Sequence, residues 1–100
     1  MKTALAARNT AKLADFAAAT GAQLFPCDAA APQSVEALFT DVVRQLGSPE
    51  LVVFNASYRT RGPFLELDPA EAAKTLEVSA FAGFLVARQG GRARIALAFR

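Results

Sequence analysis

Short apolar runs alternate with helical patterns along the first 90 residues of the chain. The first run, residues 4–7, predicts a buried strand, although alanine is a poor strand former. Residues 22–28 predict a second strand, which should be short or lie at a sheet edge because Pro26 has no N–H to donate. The apolar tetrad 51–54 predicts a third strand that is buried on both faces.

Two of the intervening segments have the periodicity of amphipathic helices. The first begins near Asn9 and Thr10, which are good N-cap residues, and ends at Gly21. Its predicted buried face is formed by Leu13, Phe16 and Ala17. The second begins at Pro32 and ends at Gly47. Its apolar positions give the clearest helical spacing in the chain, and they are Val35, Leu38, Phe39, Val42 and Leu46.

A third helix is predicted after a loop over residues 55–67. Asp68 is suited to be its N-cap and Pro69 to be its first residue, while Glu71 is placed to cap in return. The helix is expected to end at Gly90-Gly91, and its apolar face is formed by Leu76, Ala80, Gly83, Phe84 and Ala87. The remaining residues, 92–100, predict a last strand in which Ile95, Leu97 and Phe99 alternate.

The alternation of strands and helices predicts an α/β fold. Strands separated by helices favour a parallel sheet that is covered by helices on both faces. Ligands of such sheets bind at the carboxyl ends of the strands. The candidate functional residues are therefore those that directly follow a predicted strand, namely Arg8, Asp28 and Asn55 with its neighbour Ala56.

The composition excludes several kinds of catalytic and metal site. The chain has no histidine, which excludes a Ser-His-Asp triad, a Cys-His pair and a histidine-ligated metal. Cys27 is the only cysteine, so it forms no internal disulfide and cannot build a zinc site alone. We expect Cys27 to be a small buried side chain. This composition predicts no metal centre and fits a reducing, cytoplasmic location.

The charge pattern argues against nucleic-acid and membrane partners. The net charge is +2, but residues 88–100 hold four arginines and no acid, whereas residues 1–87 carry seven basic and nine acidic groups. A nucleic-acid-binding protein usually has a basic face threaded through its fold, so we expect no nucleic-acid partner. The longest apolar run, residues 78–87, is about half the length that a membrane span needs, and no signal peptide is expected.

From its position alone, each residue at a strand end has a ligand-binding and a structural interpretation. Arg8 can grip a phosphate with its fork of donors, or lie solvated at the strand exit. Asp28 can accept a hydrogen bond from an adenine amino group, or cap the helix that follows it, and the capping role is favoured. Asn55 and Ala56 can let a ligand's sugar approach the backbone, or simply form a turn. Tyr58, the only tyrosine, is expected in a solvent-facing loop.

The strand ends together resemble the short-chain dehydrogenase/reductase family. The matching pieces follow the family's order and spacing over residues 3–89. They are Ala6-Ala7-Arg8-Asn9, Cys27-Asp28, Val52-Val53-Phe54-Asn55-Ala56-Ser57, Gly62-Pro63-Phe64, Leu67-Asp68-Pro69 and Val78-Ser79-Ala80-Phe81. The resemblance implies a Rossmann-like sheet and the redox chemistry of an NAD(P)-dependent oxidoreductase, which converts carbonyl and hydroxyl groups.

The resemblance also implies roles for individual residues. Arg8 matches the family arginine that pairs with the 2′-phosphate of NADP, and no acid of the NAD-preferring type occurs in residues 3–9. Asp28 matches the aspartate that meets the adenine. Asn55 and Ala56 match the start of the family's Asn-Ala-Gly motif, whose glycine is replaced by serine here. An asparagine of the family's catalytic tetrad corresponds to Ser79.

Two features of the family have no counterpart in the sequence. No glycine-rich loop precedes Arg8, and no tyrosine stands four residues before a lysine. We therefore expect residues 1–89 to be an incomplete Rossmann-like domain that lacks the first strand and the C-terminal catalytic half, followed by a diverging basic tail, 90–100. The chain is expected to have no catalytic residues and no reductase activity by itself. Its NADP binding is expected to be weak. The alternative is a non-enzymatic α/β module for nucleotide binding or subunit association.

The resemblance has a consequence for the sheet and for association. In the family, a strand lies between residues 3–8 and 51–54, so these two segments either move together or leave an incomplete sheet. The helix over residues 69–89 is apolar on two sides, with Leu76 and Phe84 on one stripe and Phe81 and Leu85 on the other. In the family the corresponding helix packs against a second subunit. A homo-oligomer is therefore expected.

Overall fold

The computed structural model describes the backbone of residues 2–98 and the side chains of residues 2–93. Two strands, β1 (Ala4–Ala7) and β2 (Gln23–Pro26), form a parallel pair in which Ala4 lies opposite Gln23 and Ala7 opposite Pro26. The ladder extends beyond the first residue of β1 and the last residue of β2, because Gln23 N–H donates to the Thr3 carbonyl and Cys27 N–H to the Ala7 carbonyl, each at 3.0 Å. The parallel α/β arrangement and the short second strand are confirmed.

The segment that joins these strands begins and ends as the sequence predicts. The Asn9 side chain accepts a hydrogen bond from Ala11 N–H at 3.1 Å and caps a 3-10 turn, Thr10–Leu13. Helix α1 (Ala14–Thr20) follows and ends at Gly21, whose φ of 75° is the left-handed conformation that glycine adopts without strain. Ala17 is buried, but Phe16 is 56% exposed. Its predicted burial is wrong because a two-stranded sheet is too narrow to cover the whole apolar stripe.

Helix α2 (Pro32–Leu46) carries half of the apolar core. Its periodicity is confirmed, since Val35 and Phe39 are buried and Leu38 packs beside them. These side chains form one cluster with Cys27, which follows β2, and with Leu85 from the last helix. The predicted burial of Cys27 is confirmed. The core therefore lies between α2, the end of β2 and the C-terminal helix.

Residues 51–54 form no strand, and the prediction that this tetrad is buried on both faces is wrong. Leu51 and Val53 are 79% and 76% exposed. A strand needs a hydrogen-bonding neighbour, and among the described residues β1 and β2 pair only with each other. The tetrad instead lies against the C-terminal helix through Val52 and Phe54. The sheet is thus incomplete, rather than closed by pairing of β1 with this segment.

The C-terminal part of the described chain is helical almost throughout. A 3-10 turn (Phe64–Glu66) precedes α3 (Pro69–Leu76), which is capped by the Asp68 side chain accepting from Ala70 N–H at 2.9 Å. A π-helical turn (Glu77–Phe81) joins α3 to α4 (Ala82–Ala98). Among the described residues, none of the helices is both long and apolar enough to cross a membrane.

Two predictions about the end of the chain are wrong. Gly90 and Gly91 do not end the helix, and residues 92–98 are helical rather than a strand. Residues 99 and 100 of the predicted strand lie outside the described residues. A glycine inside a helix costs only about 1 kcal/mol, which packing can offset. Gly90 is buried, and a Cβ there would lie 3.6 Å from Val52 Cγ2 and 3.8 Å from Phe39 Cε1, so its small size allows close packing.

Two leucines give a matched test of where the core lies. Leu85 is 2% exposed and contacts the core cluster, whereas Leu65 is 92% exposed. We expect Leu85→Ala to lower the free energy of unfolding by about 2–4 kcal/mol, because it leaves a cavity among packed side chains. Leu65→Ala should change it by less than about 0.5 kcal/mol. Urea unfolding followed by circular dichroism measures both, and equal losses for the two variants would contradict this assignment of the core.

Candidate functional site

Two of the four predicted site residues lie at the same edge of the sheet. Arg8 directly follows β1, and Asp28 lies two residues past the end of β2. Because the strands are parallel and paired up to Cys27, their carboxyl ends meet at one edge. The structure therefore brings Arg8 and Asp28 to neighbouring positions, as the order of elements predicts.

The guanidinium of Arg8 is available to a ligand. Arg8 is exposed. The ion pair that the structure shows among residues 2–93 joins Arg44 to Asp41 at 2.9 Å, so Arg8 has no carboxylate partner in that part of the chain. Its neighbour Asn9 is already engaged as the cap of the following turn. Of the two polar side chains that follow β1, Arg8 is the one left to bind an anion.

Asp28 builds the turn that leads into α2. Its Oδ1 accepts a hydrogen bond from Ala30 N–H at 3.1 Å, and its carbonyl accepts from Ala31 N–H at 3.1 Å. Its own N–H donates to Ser34 Oγ at 2.9 Å. The prediction that Asp28 caps α2 is wrong, because the N-cap of α2 is Ala31 and no side chain caps it, while the Asp28 carboxylate accepts from the turn before the helix. The carboxylate is exposed and keeps its second oxygen for another donor.

Asn55 and Ala56 follow the apolar tetrad 51–54, which is not a strand of the described sheet. Both are exposed and lie in an irregular segment. The strand pairing that would place them beside Arg8 and Asp28 is not formed among the described residues. The segment is instead attached to the helices, through Phe54 on one side and Tyr58 on the other. A Cβ on Gly83 would lie 3.3 Å from Phe54 Cε2, which places that ring directly on α4.

Tyr58 is the centre of a polar cluster that the sequence did not predict. Its hydroxyl donates a hydrogen bond to Glu71 Oε2, and Lys74 Nζ lies 4.3 Å from the centroid of its ring. Its N–H donates to Ser79 Oγ at 3.1 Å, and the Ser79 hydroxyl donates to the Tyr58 carbonyl at 2.9 Å. Tyr58 lies in a loop, as predicted, but its side chain is half-buried against α3 rather than facing solvent.

The environment of Tyr58 disfavours its ionisation. The hydrogen bond to Glu71, together with burial and the negative charge of that carboxylate, raises the pKa of Tyr58 above its ordinary value of about 10. Glu71 was expected to cap the backbone of α3, and it bonds Tyr58 instead. A tyrosine held in this way is poorly suited to act as a proton donor near pH 7.

One feature of the sequence could have indicated this cluster. Glu71 and Lys74 stand three residues apart, which places them on the same side of a helix, and Tyr58 is the only tyrosine. The path of the loop that brings Tyr58 onto α3 could not be predicted from the sequence.

Residues 1–96 match the family described as enoyl-(acyl carrier protein) reductase. The match covers nearly the whole sequence. The chain belongs to this family of short-chain dehydrogenases/reductases. Comparison of the sequence with curated proteins gives no match.

Solved structures of short-chain dehydrogenases have the same fold over most of the chain. A short-chain type dehydrogenase/reductase from Mycobacterium marinum is 25% identical with a TM-score of 0.87, over 96% of this chain and 41% of that one. An alcohol dehydrogenase from Thermococcus sibiricus, complexed with 5-hydroxy-NADP, is 22% identical with a TM-score of 0.86, over 92% of this chain and 42% of that one. The latter comparison shows the fold alone.

A third solved structure is a variant of actinorhodin polyketide ketoreductase with NADPH. It is 25% identical with a TM-score of 0.82, over 90% of this chain and 36% of that one. The chain therefore spans about two fifths of the length of the solved structures that it matches. It corresponds to a part of the short-chain dehydrogenase/reductase Rossmann fold.

The raised pKa of Tyr58 can be measured directly. The chain has one tyrosine and no tryptophan, so the tyrosinate absorbance reports this residue alone. We expect its midpoint above pH 10, and Glu71→Ala should move it back towards 10 because both the hydrogen-bond acceptor and the charge are removed. Glu66→Ala, on a residue outside the cluster, is the control.

The sign of the linked effect on stability follows from the same shift. Since the folded-state pKa of Tyr58 is raised, its bond to Glu71 stabilises the fold below about pH 10, and this contribution is lost as the pH rises through the folded-state pKa. A wild-type midpoint at or below 10, or one unchanged by Glu71→Ala, would contradict the bond.

Proposed function

We propose that the chain forms the adenosine-binding side of an NADP-dependent short-chain oxidoreductase that acts on carbonyl or hydroxyl groups. The observation that carries this proposal is the exposed Arg8 guanidinium, which has no carboxylate partner among residues 2–93, at the carboxyl end of β1. A guanidinium in this position matches a phosphate bidentately. Two similar solved structures are described with NADP-type cofactors, 5-hydroxy-NADP and NADPH, which supports this choice of ligand.

The residues present fit the adenosine end of the cofactor. Arg8 would hold the 2′-phosphate, and no acidic residue lies in residues 3–9 to repel it. The free oxygen of Asp28 would accept from the adenine amino group, since its other oxygen is occupied by Ala30 N–H. Asn55 and Ala56 would border the ribose with small or polar groups. When bound to a complete enzyme, NADPH supplies the hydride for reduction of a carbonyl group.

The described residues offer less for the pyrophosphate of the cofactor. The glycine pair Gly90-Gly91 lies inside helix α4, where the backbone N–H groups serve the helix. No glycine-rich turn follows β1 in the described part of the chain, where Asn9 caps a 3-10 turn instead. The chain therefore selects the 2′-phosphorylated nucleotide but binds it weakly.

Binding of two nucleotides tests the role of Arg8. We expect the chain to bind 2′,5′-ADP about tenfold more tightly than 5′-AMP, because a charged hydrogen-bonded pair discriminates by at least that factor. Arg8→Ala should abolish the preference. Arg44→Ala should keep it, because Arg44 lies in the last turn of α2, about 20 Å along the helix from the site. Isothermal titration calorimetry provides the affinities, and equal binding or tighter 5′-AMP would defeat the proposal.

A second copy of the chain is the proposed macromolecular partner. Leu76, Phe81 and Phe84 are all exposed on one stretch of α3, the π turn and α4. The rings of Phe81 and Phe84 stack with centroids 6.3 Å apart, and the Arg88 guanidinium lies 5.5 Å from the Phe84 ring. A helical surface that exposes aromatic side chains in contact with one another favours burial against another protein surface.

Light scattering tests this association. We expect a dimer or a larger species for the wild type, and a shift towards monomer for the double variant Phe81→Ser, Phe84→Ser, because it removes most of the apolar patch. Leu65→Ser is the matched control, since Leu65 is as apolar and even more exposed but lies outside the patch. A monodisperse wild-type monomer at high concentration would contradict the proposal.

A further inference from the structure

Four contacts converge on Tyr58 from a single helical stretch. Glu71 and Lys74 belong to α3 and engage the hydroxyl and the ring. Ser79 belongs to the π turn and engages both polar groups of the Tyr58 backbone, with one hydroxyl that donates to the carbonyl and accepts from the N–H. The side chain and the main chain of Tyr58 are therefore both bound to the helical stretch formed by α3 and the π turn.

The surrounding segment has little other attachment. Residues 51–61 have no helical or strand structure. The ring of Phe54 contacts α4 at Gly83, which restrains the position of Phe54. This apolar contact supplies no hydrogen bond to the backbone that follows. The hydrogen bonds of Tyr58 are thus the polar anchor of this loop, and an anchor with several partners restrains orientation as well as distance.

The anchor lies next to two candidate nucleotide-binding residues. Consecutive Cα atoms are about 3.8 Å apart, so the Cα atom of Ala56 lies within about 8 Å of that of Tyr58, and the Cα atom of Asn55 within about 11 Å. Fixing Tyr58 therefore restricts where Asn55 and Ala56 can lie. A loop that is pre-ordered in this way loses less conformational entropy when a ligand binds.

We infer that Glu71 is a positioning residue, which holds the loop carrying Asn55 and Ala56 in place through the Tyr58 hydroxyl, with Lys74 packed on the ring. The contribution of this positioning to nucleotide binding rests on the proposed function. The anchoring of the loop does not, and it is tested without any nucleotide.

Exchange of the Tyr58 amide hydrogen, which is bonded to Ser79 Oγ, measures the anchoring in the full chain. We expect Tyr58→Phe and Glu71→Ala each to speed exchange of this amide by at least about tenfold, the effect of losing one hydrogen bond to a charged group. The double variant should exchange no faster than either single variant, because both remove the same bond. Glu71→Gln should stay close to wild type, since its amide oxygen still accepts. Glu66→Ala is the control on a nearby carboxylate.

The outcomes separate a positioning role from general destabilisation. Unchanged exchange in Glu71→Ala, equal acceleration in Glu66→Ala, or additive effects in the double variant would each overturn the inference. Titration with 2′,5′-ADP and 5′-AMP then tests the link to the nucleotide. Glu71→Ala should weaken both by a similar factor of about three, leaving the preference that depends on Arg8 intact. If the wild type binds neither nucleotide, the proposed function is wrong, while the exchange result still decides the anchoring.

Discussion

A parallel strand needs a neighbour that pairs with its backbone, and this requirement shapes the structure. β1 and β2 satisfy each other, and their pairing continues to Cys27, just before Asp28. The same pairing directs Arg8 to the edge where Asp28 begins the turn into α2. Residues 51–54 are apolar enough for a central strand, but they have no such neighbour among the described residues and rely on packing alone.

Close packing on α4 takes the place of strand pairing for that segment. Gly83 and Gly90 leave room for the Phe54 ring and the Val52 methyl groups, at distances where a Cβ would be in tight or ordinary contact. Gly90 also faces Phe39, so the segment, α4 and the core side of α2 meet at one point. Dispersion and apolar burial are not directional, which explains how α4 can hold the segment without a hydrogen-bonded register.

The two polar centres of the molecule differ in what their charges do. Arg8 has no carboxylate partner among residues 2–93, and it faces solvent, the state of a group that is ready to meet an anion. Glu71 and Lys74 are instead directed at Tyr58, and their effect is to hold a neutral hydroxyl and an aromatic ring. The first centre therefore suits recognition of a ligand, whereas the second suits fixing the loop that carries Tyr58.

The sequence by itself determined the local features of this protein. Helical periodicity placed Val35 and Phe39 in the core, and Asn9, Gly21 and Asp68 ended or began their segments as their side chains dictate. These features depend on residues a few positions apart. Three features were decided only by the tertiary structure: the absence of a strand over residues 51–54, the continuation of α4 past its glycines, and the bond from Tyr58 to Glu71. Each of them depends on contacts between segments that are distant in the chain.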